Sequence, residues 1–166
     1  MIFLMPALPT RHVFVYGTLR QGEQRDINLL RPAPRWVGRA SVEGVLYDLG
    51  SYPGLMLGSN LRPGQKKVRG EVYEISDELE RLLDEIEGVG PNPSGEYVKR
   101  QLLVQLESVR ISDESGFGHA LTCLVYEVTP GSAAGRPVIS SGDWVDHRLK
   151  HKAGDGPPPL ARTREY

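Results

Sequence analysis

Only one long stretch of this chain, from about Asp77 to Glu87, carries a helical hydrophobic repeat, and that scarcity constrains the fold more than any other feature. Leu79, Leu82, Leu83 and Ile86 recur at i, i+3, i+4 and i+7 and form one apolar stripe. Asp77 reads as the N-cap, with Glu80 three residues on completing a capping box, and Gly88 as the residue that ends the helix. Asp84 and Glu85 fall away from the stripe, where solvated charges belong. Glu87 does not: it follows Leu83 by one turn and lies roughly 80° from Leu79 on the helical wheel, at the edge of the buried face. A negative charge in the last turn also opposes the helix dipole. A carboxylate so placed holds its proton more tightly than a free Glu, which moves it toward the range of a general base at neutral pH. The competing reading is a helix-terminal Glu paired with a Lys or Arg.

The remainder reads as short strands and turns, to which 19 Gly and 13 Pro in 166 residues contribute. Strands are expected at Arg11 to Tyr16, Trp36 to Val42, Gly44 to Leu49, Val68 to Ile75, Tyr97 to Leu106 and His119 to Val128, with a further apolar piece at Leu55 to Leu57. Short helices are expected over Glu23 to Leu30 and over Gly142 to Lys150, with Asp143 near the start of the latter. Asn60 to Lys67 and Glu107 to Gly118 read as solvated connections, and Thr129 to Arg136 as a small-residue linker. The organisation expected is a ragged N-terminus over 1–10, one domain over 11–150 and a mobile tail over 151–166. The apolar first ten residues lack a basic leader region and a cleavage site, and no run approaches a bilayer span, so a soluble cytoplasmic protein is expected. With 20 Lys and Arg against 21 Asp and Glu, the net charge of −1 argues against nucleic acid or an anionic membrane as partner. Cys123 lies in an apolar strand and reads as a small core residue.

Val13 to Arg20 reads Val-Phe-Val-Tyr-Gly-Thr-Leu-Arg, a buried strand that surfaces into a tight turn enabled by Gly17. Such a turn presents backbone N–H groups that can grip an anionic group. It belongs to no phosphate-binding or dinucleotide fingerprint, and Ser132, Ser140 and Ser141 form no nucleophile elbow. His147 and His151 stand at i, i+4 without a clear third ligand, so no metal site is expected, and His12 and His119 are isolated. Tyr97 and Tyr126 lie on separate strands, where rings pack a core but a hydroxyl at a sheet end can face a ligand.

Val15-Tyr16-Gly17-Thr18-Leu19-Arg20, Gly70-Glu71-Val72-Tyr73, Leu83-Asp84-Glu85-Ile86-Glu87-Gly88, and Tyr97 with Arg100, in that order and spacing, resemble the gamma-glutamylcyclotransferase family with its AIG2-like members. The resemblance spans roughly Val13 to Asp146. It implies an α+β fold, a small mixed β-barrel with peripheral helices, and cyclisation of a gamma-glutamyl amide to release 5-oxoproline and an amine. Carried over, it implies that Tyr16, Gly17, Thr18 and Leu19 form the loop that holds the glutamyl end, that Glu87 is the general base, and that Tyr97 and Tyr126 match two tyrosines of the site. The chain departs from the pattern in a longer loop over Val89 to Glu96 and in the two residues between Tyr97 and Arg100. The implied partner is a small gamma-glutamyl substrate, with no metal or organic cofactor. The other class consistent with these residues is a non-catalytic binding module on the same fold. Nothing in the sequence names the leaving amine or the oligomeric state.

Overall fold

The computed structural model describes residues 10–58, 66–91, 93–107 and 119–152. Most of the expected N-terminal segment, of the 60–67 loop, of the 107–118 connection and of the C-terminal tail lies outside the described residues. Among the described residues seven strands, β1 (Arg11–Val15), β2 (Arg35–Val42), β3 (Gly44–Asp48), β4 (Pro53–Leu57), β5 (Val68–Ile75), β6 (Tyr97–Gln105) and β7 (Ala120–Val128), form one mixed sheet. The helices are α1 (Asp77–Ile86), α2 (Pro130–Ala133) and α3 (Trp144–His147), and α3 runs on into a π-turn over Arg148–Lys152. Among the described residues no helix is long and apolar enough to cross a membrane.

β7 is the trunk of the sheet. One edge pairs antiparallel with β6 along its whole length, from Tyr97 opposite Val128 to Gln105 opposite Ala120. The other edge is shared in succession by two parallel strands: β1 at Cys123 and Leu124, then β4 at Glu127. β5 runs antiparallel between β1 and β2. The sheet curls until β2 meets the end of β6, where Ala40 bridges Leu106 and the Glu107 N–H donates to the Arg39 carbonyl at 2.8 Å. The result is the expected α+β architecture, a curled mixed sheet with few helices.

Alternation along the strands sends side chains to two buried faces. Phe14, Val72, Val104, Cys123 and Val125 fill the inside of the curl, with Trp144 of α3. Val13, Val15, Tyr73, Ile75, Leu124 and Tyr126 pack the opposite face, which Leu79 and Leu83 of α1 cover. Burial on both faces is why β1 and β7 read as apolar runs rather than as alternating strands. Cys123 is a buried core residue, and burial pushes its thiol up to about 12.

Several local expectations are corrected. Ser76, not Asp77, caps α1: its side chain accepts from the Leu79 N–H at 3.2 Å, and Asp77 is the first helical residue. Glu80 therefore closes no capping box and instead pairs with Arg11 and Lys99. Asp84 is not a solvated charge; it accepts from Tyr126 and Lys99. Of the segment Glu23 to Leu30 only Ile27–Leu29 is helical, a 3-10 turn capped by Asp26. The 129–136 linker contains α2, which starts on Pro130, a residue suited to a first helical turn.

Candidate active site

β1 and β4 share one edge of β7 and then part, and the chain leaves β1 at that parting. The opening is held by Tyr16, whose hydroxyl donates to the Tyr126 carbonyl at 2.6 Å and accepts from the Leu55 N–H at 3.2 Å. A cavity of about 340 Å³ lies here. Its walls are the end of β1 with the turn after it, the start of β4, the C-terminal end of α1, and Tyr97 and Tyr126. Gly17 and Glu87 thus line the same cavity, 70 residues apart in the chain.

The turn is fixed from within by three backbone bonds: Arg20 N–H to the Gly17 carbonyl at 3.0 Å, Arg25 N–H to that of Thr18 at 2.9 Å, and Ile27 N–H to that of Leu19 at 2.9 Å. These use the carbonyls and leave the amides. Among the described residues the N–H groups of Gly17, Thr18 and Leu19 donate to no protein acceptor, although Gly17 and Leu19 are buried. Buried amides are almost always satisfied, and these three stand in succession at residues that line the cavity. Gly17 is required for space rather than for an unusual φ, since an added Cβ would stand 2.6 Å from Pro53 Cγ.

Beneath the turn a buried network anchors its far end. Glu71 of β5 is 5% exposed and accepts from Arg20 Nε, from the Gln21 N–H at 2.9 Å and from the Tyr73 hydroxyl at 3.1 Å. Arg20 also donates to Asp143 at 2.9 Å, the residue whose side chain caps α3. Burial by itself would lower the Arg20 guanidinium, but hydrogen bonding and charge from Glu71 and Asp143 raise it.

Glu87 is the residue after α1. Gly88 follows with φ +69°, its N–H bonds the Glu85 carbonyl at 3.2 Å, and the Val89 N–H bonds that of Asp84 at 2.9 Å. This is a Schellman termination, which satisfies the last carbonyls and turns the chain sharply away. It leaves the Glu87 side chain at the cavity, where among the described residues it makes no hydrogen bond or ion pair. Burial raises its carboxyl to about 7, with Arg25 opposing and Glu96 reinforcing the shift. Gly88→Ala places a Cβ 2.5 Å from Ser94 Oγ in a backbone conformation that costs L residues about 1–2 kcal/mol. A lowered urea midpoint together with reduced turnover is the expected result.

The tyrosines are more constrained than their positions suggest. Tyr97 donates to the Pro53 carbonyl at 2.7 Å and Tyr126 to Asp84 at 2.8 Å. Burial above all raises both phenols and that of Tyr16, which keeps them neutral. With their protons committed, Tyr97 and Tyr126 retain only lone pairs to offer a ligand. Arg25, Tyr52 and Glu96 also line the cavity, and none of them is a site residue in the sequence reading. Tyr52 donates to Glu96 at 2.8 Å, a contact between two loops that no local pattern announces. His147 pairs with Asp48 at 2.8 Å and its ring lies 4.8 Å from that of His151; among the described residues no group of three metal-ligating side chains occurs.

The cavity at the strand parting thus has unused amides on one wall and the unpaired Glu87 carboxylate on another. Comparisons with known proteins identify the family. The family described as gamma-glutamyl cyclotransferase, AIG2-like, matches residues 13–146, and the chain belongs to it. It is 34% identical over 145 residues to the gamma-L-glutamyl-butirosin B gamma-glutamyl cyclotransferase of Niallia circulans, covering 86% of this chain and 81% of that one. It is 36% identical over 121 residues to the gamma-glutamylaminecyclotransferase of Bos taurus, covering 69% of this chain and 63% of that one. The crystal structure of an AIG2-like protein from Mus musculus superposes with a TM-score of 0.58 at 26% identity, over 80% of this chain and 87% of that one.

Proposed function

We propose that this protein cleaves a gamma-glutamyl amide by attack of the substrate's own α-amine on the gamma-carbonyl, releasing 5-oxoproline and an amine. The observation that carries this is the unpaired Glu87 carboxylate, raised to about 7, in one cavity with the free amides of Gly17, Thr18 and Leu19. The substrate brings its own nucleophile, so neither Ser nor Cys is required, and no oxidation state changes. Glu87 takes a proton from the α-ammonium, and the freed nitrogen closes a five-membered ring on the gamma-carbonyl carbon. Electron density moves to the carbonyl oxygen, where backbone amides of the turn stabilise it. Collapse breaks the bond to the departing nitrogen, to which Glu87 returns the proton, and the second α-nitrogen proton leaves with the amine. Tyr97 and Tyr126 accept hydrogen bonds from the ammonium, the one role their committed protons allow.

Proximity is the largest contributor, because well-oriented cyclisations gain up to ~7–11 kcal/mol and a cavity that folds the substrate on itself realises part of this. Base catalysis adds typically ~10²–10⁴-fold. The test is a panel of gamma-glutamyl amines, amino acids and peptides assayed for 5-oxoproline. Turnover of at least one is expected. Because the base acts deprotonated, kcat/KM should fall as pH drops through about 7, the value to which burial raises Glu87. Measurable binding with turnover of none would favour a non-catalytic binding module instead.

A further inference from the structure

We propose that Arg25 is a substrate-binding residue whose guanidinium holds the α-carboxylate of the gamma-glutamyl group, alongside the amides of Gly17 to Leu19. This rests on the cyclisation reading above and adds to it a residue that no sequence motif identifies. Among the described residues Arg25 is the only Lys or Arg lining the cavity; the other charged groups there are Glu85, Glu87 and Glu96. A cavity lined by three carboxylates repels a substrate carboxylate unless a cation offsets them.

Arg25 is also not held by a carboxylate of the fold, as its neighbours in the structure are. Arg20 is held by Glu71 and Asp143, Lys99 by Glu80 and Asp84, and Arg148 by Glu23. Among the described residues the Arg25 side chain makes no hydrogen bond or ion pair, while its backbone N–H is tied to the Thr18 carbonyl at 2.9 Å. The residue is thereby anchored beside the turn, and its guanidinium is close enough to act on both Glu87 and Tyr52. The substrate's own geometry supplies the rest. Its α-ammonium and α-carboxylate are attached to one carbon, so a base that meets the first needs the partner of the second as a neighbour. A guanidinium matches a carboxylate with two parallel hydrogen bonds, which fixes the orientation of the α-carbon as well as its charge.

The experiment compares a turned-over gamma-glutamyl amide with the same compound bearing an α-carboxamide, on wild type and on Arg25→Gln. Loss of a hydrogen bond to a charged group is expected to reduce kcat/KM for the carboxylate substrate by roughly 10- to 100-fold, mostly through KM, and to leave the carboxamide nearly unaffected. An equal loss on both substrates overturns the assignment, since a residue acting only through Glu87 or through the fold cannot sense the α-substituent. A second arm needs no turnover: calorimetric binding of 5-oxoproline and of its carboxamide. Wild type should prefer the acid, and Arg25→Gln should erase the preference. Equal affinities in wild type, or no binding of either, overturn the proposal whatever the turnover. A preference erased by Arg25→Gln, in a protein that releases no 5-oxoproline from any amide, sustains the carboxylate site and overturns the cyclisation reading.

Discussion

Glu87→Gln is expected to reduce 5-oxoproline release by at least ~10²–10⁴-fold, the usual contribution of a positioned base, while the fold persists. The amide is isosteric and cannot accept the α-ammonium proton. The same substitution should make the protein more stable at alkaline pH, and the sign follows from the raised carboxyl. An unfolded chain releases the Glu87 proton near 4.5, the ordinary value for a glutamate, whereas the folded protein keeps it until about 7. Between those values the folded state binds more protons, so stability falls as pH rises, and the loss is complete above about 7. Glutamine has no proton to lose. Urea unfolding at pH 8 should therefore show Glu87→Gln more stable by on the order of 1–3 kcal/mol, and at pH 4 the two proteins should be alike. Undiminished activity removes Glu87 from the mechanism; equal stability at both pH values means its carboxylate is not strained by burial.

Glu71→Ala is expected to lower stability by about 3–5 kcal/mol, the cost of leaving a buried charge without its partner. It strips acceptors from Arg20, the Gln21 N–H and the Tyr73 hydroxyl at once, and the arginine then retains only Asp143. Because Arg20 and Gln21 end the turn that begins at Gly17, activity should fall further than the change in folded fraction explains. Glu71→Gln keeps the shape and part of the hydrogen bonding, so its cost should be smaller, about 1–3 kcal/mol. A urea midpoint unchanged in Glu71→Ala would show that the network does not anchor the turn.

The parts of the site legible in the sequence are those that local geometry fixes. The i, i+3, i+4, i+7 stripe of α1 located Glu87 at the edge of its buried face, and the glycine after it is the one the helix ends on. The strand and turn from Val13 to Arg20 were readable for the same reason, since an apolar run broken by Tyr-Gly-Thr marks where a strand surfaces. The errors have physical causes too. A wheel drawn about Leu79 alone sends Asp84 to solvent, yet β6 and β7 supply Lys99 and Tyr126 to that flank of the helix. The cap moved to Ser76 because a serine hydroxyl one residue earlier reaches the Leu79 N–H.

By itself the sequence determined most of the elements and their chemistry: one amphipathic helix ending on a carboxylate, a set of short strands, and a glycine turn after the first of them. Local periodicity and turn stereochemistry act over a few residues, and a single chain displays them in full. Only the tertiary structure decided that β1 and β4 share and then leave one edge of β7, which opens the cavity, and that Glu87 faces it unpaired. It also decided that the tyrosine hydroxyls spend their protons on the fold, and that Arg25 stands at the cavity without a partner. Each of these is a long-range pairing or the lack of one, set by the register of strands far apart in sequence, and no local pattern encodes it.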